Sequence, residues 1–98
     1  MMLPEKLKEL REQCKLPQRK VAAALDVDTA TYCKIENGNY SPRKEQVIQL
    51  AEVLNAKKNE LLKCWLADKI MAVAEDGKEV ALDALKLALQ QIGEMNLE

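Results

Sequence analysis

The sequence has no histidine and no phenylalanine, and only three cysteines, three glycines and three prolines in 98 residues. The missing histidine removes His-based triads, the commonest general acid-base side chain and most zinc sites. Cys14, Cys33 and Cys64 are odd in number and far apart, with no Cys-x-x-Cys pair. Neither a disulfide framework nor a thiolate metal site is encoded. Isolated thiols suit a reducing compartment, so a cytoplasmic protein is expected. No apolar run is long enough to span a bilayer, and Met1 to Leu10 is charged and amphipathic rather than leader-like. No Gly-rich phosphate loop or clustered acid pair stands out. The expectation is a non-enzymatic protein with no catalytic residue, no metal ligand and no cofactor.

What remains is helical material. Tyr32, Tyr40 and Trp65 are the only aromatics, and leucine, alanine, valine, isoleucine and methionine supply the rest of the apolar content. Most of these are good helix formers, so an all-α protein of five to six helices is expected. The formal net charge of −1 hides an asymmetry. Residues 1–58 carry 11 basic and 8 acidic side chains, a net of +3, and residues 59–98 carry 4 and 8, a net of −4. The front half suits a polyanionic partner and the back half a different task. This division sets the expected domains, 1–58 and 59–98.

Along the chain, Leu3, Leu7, Leu10 and Cys14 recur at helical spacing, so Cys14 is read as a core residue. Leu16-Pro17 ends this first helix. A second is expected from Gln18 to Leu25, and Asp26-Val27-Asp28 reads as a tight turn with Asp28 as the next N-cap. The third helix runs Thr29 to Asn37 and stops at Gly38, a left-handed C-terminal residue. Ser41 is expected to cap a fourth helix with Pro42 in its first position and Val47, Leu50, Ala51 and Leu54 on its buried face. Asn59 is expected to cap a fifth helix ending at Gly77. A sixth, about Lys78 to Ile92, is closed by Gly93.

The informative stretch is residues 18–36. Two helices crossing steeply need a small residue at the contact, which Ala22 supplies, and the turn needs an apolar plug, which Val27 supplies. Val21, Leu25, Tyr32 and Ile35 face a common core. Thr29, Ala30, Thr31, Cys33 and Lys34 are left outward, slender enough for their helix to enter a major groove about 12 Å wide. Cys33 reads either as a redox-responsive thiol or as a serine-sized filler. Trp65 reads as a core or interface residue rather than a ligand anchor.

From Leu7 to Leu61 the chain resembles the phage repressor/Cro-type helix-turn-helix domain, the xenobiotic-response-element family. The resemblance rests on Leu7-x-x-Leu10-Arg11, on Gln18-x-x-Val21-Ala22, on Lys34-Ile35-Glu36-Asn37-Gly38 and on the Ser41-Pro42 helix that follows. It implies a lambda-repressor-like fold that binds duplex DNA. It also implies that Thr29, Ala30 and Lys34 read bases, with Thr31 at a phosphate or base edge. Gln18, Asn37 and Arg43 would hold the DNA backbone, as amides and cations do. Two positions depart from the family pattern. Asp26 stands where the turn residue is usually glycine, and Pro17 where a threonine cap is usual.

In the acidic half, Leu82, Leu85, Leu89 and Ile92 form one apolar stripe, and Val80, Ala84 and Leu87 a second. A small monomer has difficulty covering both, so the first stripe is expected to be the dimerisation seam of a C-terminal helical segment. A homodimer would read a two-fold symmetric operator in double-stranded DNA. The leading expectation is a sequence-specific transcriptional regulator, a repressor. The alternatives are an antitoxin that regulates its own operon, or a controller protein of a restriction-modification or mobile-element operon. No membrane partner is expected, and no effector pocket is readable.

Overall fold

The computed structural model describes residues 1–95, and every element among them is a helix or a turn. The order is α1 (Met2–Gln13), α2 (Gln18–Ala24), α3 (Thr29–Glu36), α4 (Lys44–Val53), α5 (Lys58–Asp76) and α6 (Ala81–Glu94). The fold is all-α and lambda-repressor-like. Two compact units are present, Met1–Asp68 and a second from Lys69 onward. The division falls inside α5, and residues 59–68, grouped by charge with the C-terminal half, pack with the first unit.

The first unit is built on the apolar stripes of its helices. Leu3 and Leu7 of α1, Val21 and Ala22 of α2, Tyr32 and Ile35 of α3, and Val47, Leu50 and Ala51 of α4 are all buried. Leu61 of α5 closes the same core. Ala22 of α2 is only 1% exposed and belongs to this core, in which α2 packs against α3. A larger side chain there would overpack the core.

The first four helices all stop in the same way. Lys15, Asp26, Gly38 and Asn55 follow them with φ of 57°, 56°, 80° and 54°. The next residue then reaches back to a carbonyl five positions earlier, Leu16 to Arg11 at 3.1 Å and Val27 to Ala22 at 3.1 Å. Asn39 bonds Lys34 and Ala56 bonds Ala51 in the same manner, each at 2.8 Å. This left-handed closure satisfies the orphan carbonyls of each last turn. Leu16, Val27 and Ala56 are then folded against the core, so each helix end also anchors the loop that leaves it. Only Gly38 is a glycine, and the other three side chains hold their backbone in a region that disfavours a Cβ.

Several boundaries differ from expectation. Cys14 is exposed, its Sγ 3.3 Å from the Leu54 carbonyl, because α1 ends at Gln13 and leaves Cys14 beyond the inward-facing turn. Ser41 does not cap α4. Pro42 is buried and its carbonyl accepts from Trp65 Nε1 at 2.8 Å, so the chain stays extended until Arg43. The helix then starts at Lys44, where Gln46 Oε1 accepts from the Arg43 backbone N–H at 2.9 Å. α5 begins at Lys58, so Asn59 lies within it, and α6 begins at Ala81 and carries Gly93 inside its last turn. The start of α1 is capped from far away. Asp68 accepts from the backbone N–H groups of Met2 and Leu3, each at 2.8 Å.

In the second unit the end of α5, the turn at residues 77–80 and α6 line an apolar groove of about 460 Å³. No residue of α6 is buried. No helix among the described residues is long and apolar enough to cross a membrane.

The left-handed Asp26 gives a direct test of these helix ends. Asp26→Gly should stabilise the protein by about 0.5–1 kcal/mol, because relief of Cβ strain outweighs the extra freedom of glycine in the unfolded chain. Urea unfolding would show this as a higher midpoint at unchanged slope.

Candidate nucleic-acid interface

α3 is held from behind and free in front. Tyr32, Ile35 and Glu36 are buried, while Thr29, Ala30 and Lys34 are exposed and Thr31 is half-buried. Its first turn is fixed by Asp28, whose Oδ1 accepts from the Thr31 backbone N–H at 2.7 Å. Hydrogen bonding with Thr31 holds the Asp28 carboxyl below its usual range, so this cap stays ionised and accepting. Asn37 caps the other end and is exposed, as is Arg43 at the start of α4. The structure therefore brings Thr29, Ala30 and Lys34 onto one open helix face, with Asn37 at its end and Arg43 beyond the following loop.

Gln18 has a role that spacing did not reveal. Its Nε2 donates to Glu36 Oε1 at 3.1 Å, and its Oε1 accepts from Cys33 Sγ at 3.0 Å. Glu36 in turn receives Arg11 Nε at 2.6 Å and Arg11 Nη2 at 3.1 Å, a bidentate pair. Arg11 Nη1 donates to the Leu16 carbonyl at 2.9 Å. One carboxylate thus ties α1, the opening of α2 and the inner side of α3 together. Its side chain is only 3% exposed, and that of Arg11 14%.

Burial pushes the Glu36 carboxyl up, but hydrogen bonds from Arg11 and Gln18 and the guanidinium charge bring it below its ordinary value. The guanidinium is raised correspondingly, chiefly by its hydrogen bond to Glu36. Tyr32 is packed behind them with its hydroxyl sealed from solvent and without a well-formed hydrogen bond to any described residue. Burial, then the neighbouring carboxylate, push that phenol well up.

Arg19 and Lys20, both exposed in the first turn of α2, were not singled out by the sequence. That turn contains no acidic residue, and this is the signal that marks it. Among the described residues no group of three potential metal ligands occurs.

Residues 7–61 match the model of the family described as Helix-turn-helix. The chain belongs to the Cro/C1-type helix-turn-helix family. The match covers more than half the chain and lies within the first unit. No curated protein and no solved structure matches. Membership in this helix-turn-helix family makes the protein a DNA-binding transcription regulator with double-stranded DNA as its ligand.

The buried ion pair behind α3 predicts a distinctive pH response. Arg11→Met leaves an unpaired buried carboxylate and should cost roughly 3–5 kcal/mol near neutrality. In the wild type the Glu36 pKa is lowered on folding, so its contribution is full above the ordinary glutamate pKa of about 4.3. That contribution is lost as pH falls through the lowered folded value. In Arg11→Met burial raises the Glu36 pKa instead, so the deficit should narrow as pH falls. Unfolding curves between neutral pH and the acid limb read both slopes, and a pH-independent deficit would remove Glu36 from the account.

Proposed function

We propose that the protein is a sequence-specific repressor that works in the cytoplasm as a homodimer on a two-fold symmetric operator. α3 enters the major groove with Thr29, Ala30, Thr31 and Lys34 at base edges. Gln18, Asn37 and Arg43 hold the backbone, and Arg19 and Lys20 add phosphate charge beside Gln18. The observation that carries this reading is the open row of Thr29, Ala30 and Lys34 on a helix locked from behind. Preorganised donors on a rigid helix favour groove readout, since little freedom is lost on binding. Lys34 can donate to guanine O6 and N7, and the Ala30 methyl suits a thymine methyl.

DNA binding is assigned to the first unit, which takes in residues 59–68 together with the expected 1–58, and dimerisation to the second unit, from Lys69 onward. Support for the seam comes from α6, where Leu82, Leu85, Leu89 and Ile92 are 67%, 40%, 71% and 50% exposed. Leu85 also lines the apolar groove with Ile70, Val73 and Val80. Surfaces of this kind associate, and a second DNA-binding unit tethered through them raises affinity without new contacts.

Selection of bound duplexes from a random pool tests the readout. Lys34→Ala should change the preferred base at one position per half-site, at roughly 1–3 kcal/mol for the lost contact. Arg43→Ala should instead weaken specific and random DNA alike and lower the salt slope by about 1. A selected motif identical for Lys34→Ala and wild type would move the reading residues elsewhere.

Leu89→Glu tests assembly, because a residue so exposed within one chain contributes little to that chain's own stability. It should give a folded monomer that still holds a half-site but binds the two-fold operator much more weakly than wild type. Wild-type protein that sediments as a monomer at high concentration would overturn the dimer.

A further inference from the structure

Gln18 is the one proposed backbone contact that is only half-exposed and already engaged at both ends of its carboxamide. The orientation of that amide is forced. An ionised carboxylate only accepts, so Glu36 must face the NH₂ group, and the Gln18 oxygen is left toward Cys33, whose thiol must donate. Donors thus run one way, from Cys33 to Gln18 and from Gln18 to Glu36, which Arg11 holds from the other side. An NH₂ group carries two N–H donors. Glu36 takes one; Gln18 itself is half-exposed at the start of α2, next to exposed Arg19 and Lys20, which leaves the second for a phosphate.

We propose that Cys33 is a positioning residue for DNA binding: its thiol fixes the Gln18 carboxamide so that the second N–H meets a backbone phosphate. This rests on the reading of Gln18 as a phosphate contact and adds a reason for its geometry. Without the thiol the oxygen loses its donor, and the single bond to Glu36 is left to hold the last torsion of the side chain, with a wider swing of the amide. The second N–H then meets the phosphate only part of the time. Cys33 lies one turn after Thr29 on α3, so the device couples the opening of α2 to the helix that reads bases. It needs no oxidation of the thiol and no direct contact between sulfur and DNA.

The test uses the full chain, a 30-base-pair duplex of random sequence at low salt, and a thermal melt of every variant. Cys33→Ala should weaken duplex binding about three- to tenfold, the size of one modest hydrogen bond, with little change in melting temperature. Cys33→Ser retains a donor and should recover most of the loss. In a Gln18→Ala background, Cys33→Ala should have no further effect. In the free protein, the Gln18 side-chain amide resonances should shift in Cys33→Ala and return toward wild type in Cys33→Ser. If Gln18→Ala leaves affinity unchanged, the phosphate contact falls and the proposal with it. If Gln18→Ala weakens binding but Cys33→Ala does not, or if the two losses simply add, Cys33 is not positioning Gln18 and the phosphate reading stands alone. A loss that tracks the melting temperature and is not recovered by serine would assign Cys33 to packing.

Discussion

A carboxylate removed from water must be answered by donors, and the arrangement of the DNA-binding unit follows from how Glu36 is answered. Its two oxygens receive Arg11 from α1 and Gln18 from α2, and Glu36 itself belongs to α3. Each donor comes from a different helix, so the carboxylate holds three bodies together that leucine and valine contacts alone would let slide. Arg11 spends a further N–H on the Leu16 carbonyl, which fastens the α1–α2 connection to the same point. The open face of α3 keeps its aim because the opposite face is pinned by directional bonds. A hydrophobic replacement of the pair could match its stability.

The way the helices end complements this. Left-handed closure after α1, α2, α3 and α4 makes each connection short and sends the following residue back toward the core. Three of the four closures use lysine, aspartate or asparagine rather than glycine. The unit therefore carries some backbone strain at its corners, opposed by the core packing of Leu16, Val27 and Ala56.

Most of the first unit was readable because its information is periodic and local. The stripes of α1 to α4, the Asp28 cap and the Gly38 stop all follow from spacing and short-range chemistry, and the structure has them in place. Local chemistry failed where a distant group intervened. Ser41-Pro42 looks like a helix start until Trp65 takes the Pro42 carbonyl. Cys14 continues an apolar stripe that the helix itself does not. The open row on α3 was legible, but the partners of Gln18 were not, since Glu36 lies 18 residues away and no pattern announces the pair. In the acidic half the amphipathic pattern of α6 was plain, because periodicity records the need for an apolar neighbour.

The cap that Asp68 places on α1 carries a consequence for the order of assembly. The first two helical N–H groups have their acceptor more than sixty residues downstream, past every element that would touch DNA. A nascent chain can form α2, α3 and α4 before that aspartate exists, yet the amino-terminal turn stays open-ended until α5 arrives. The first turn of α1 is thus among the last parts of this unit to be secured. A protein cut back to the family-matched region, ending at residue 61, would keep its reading helix while losing the latch on its own beginning.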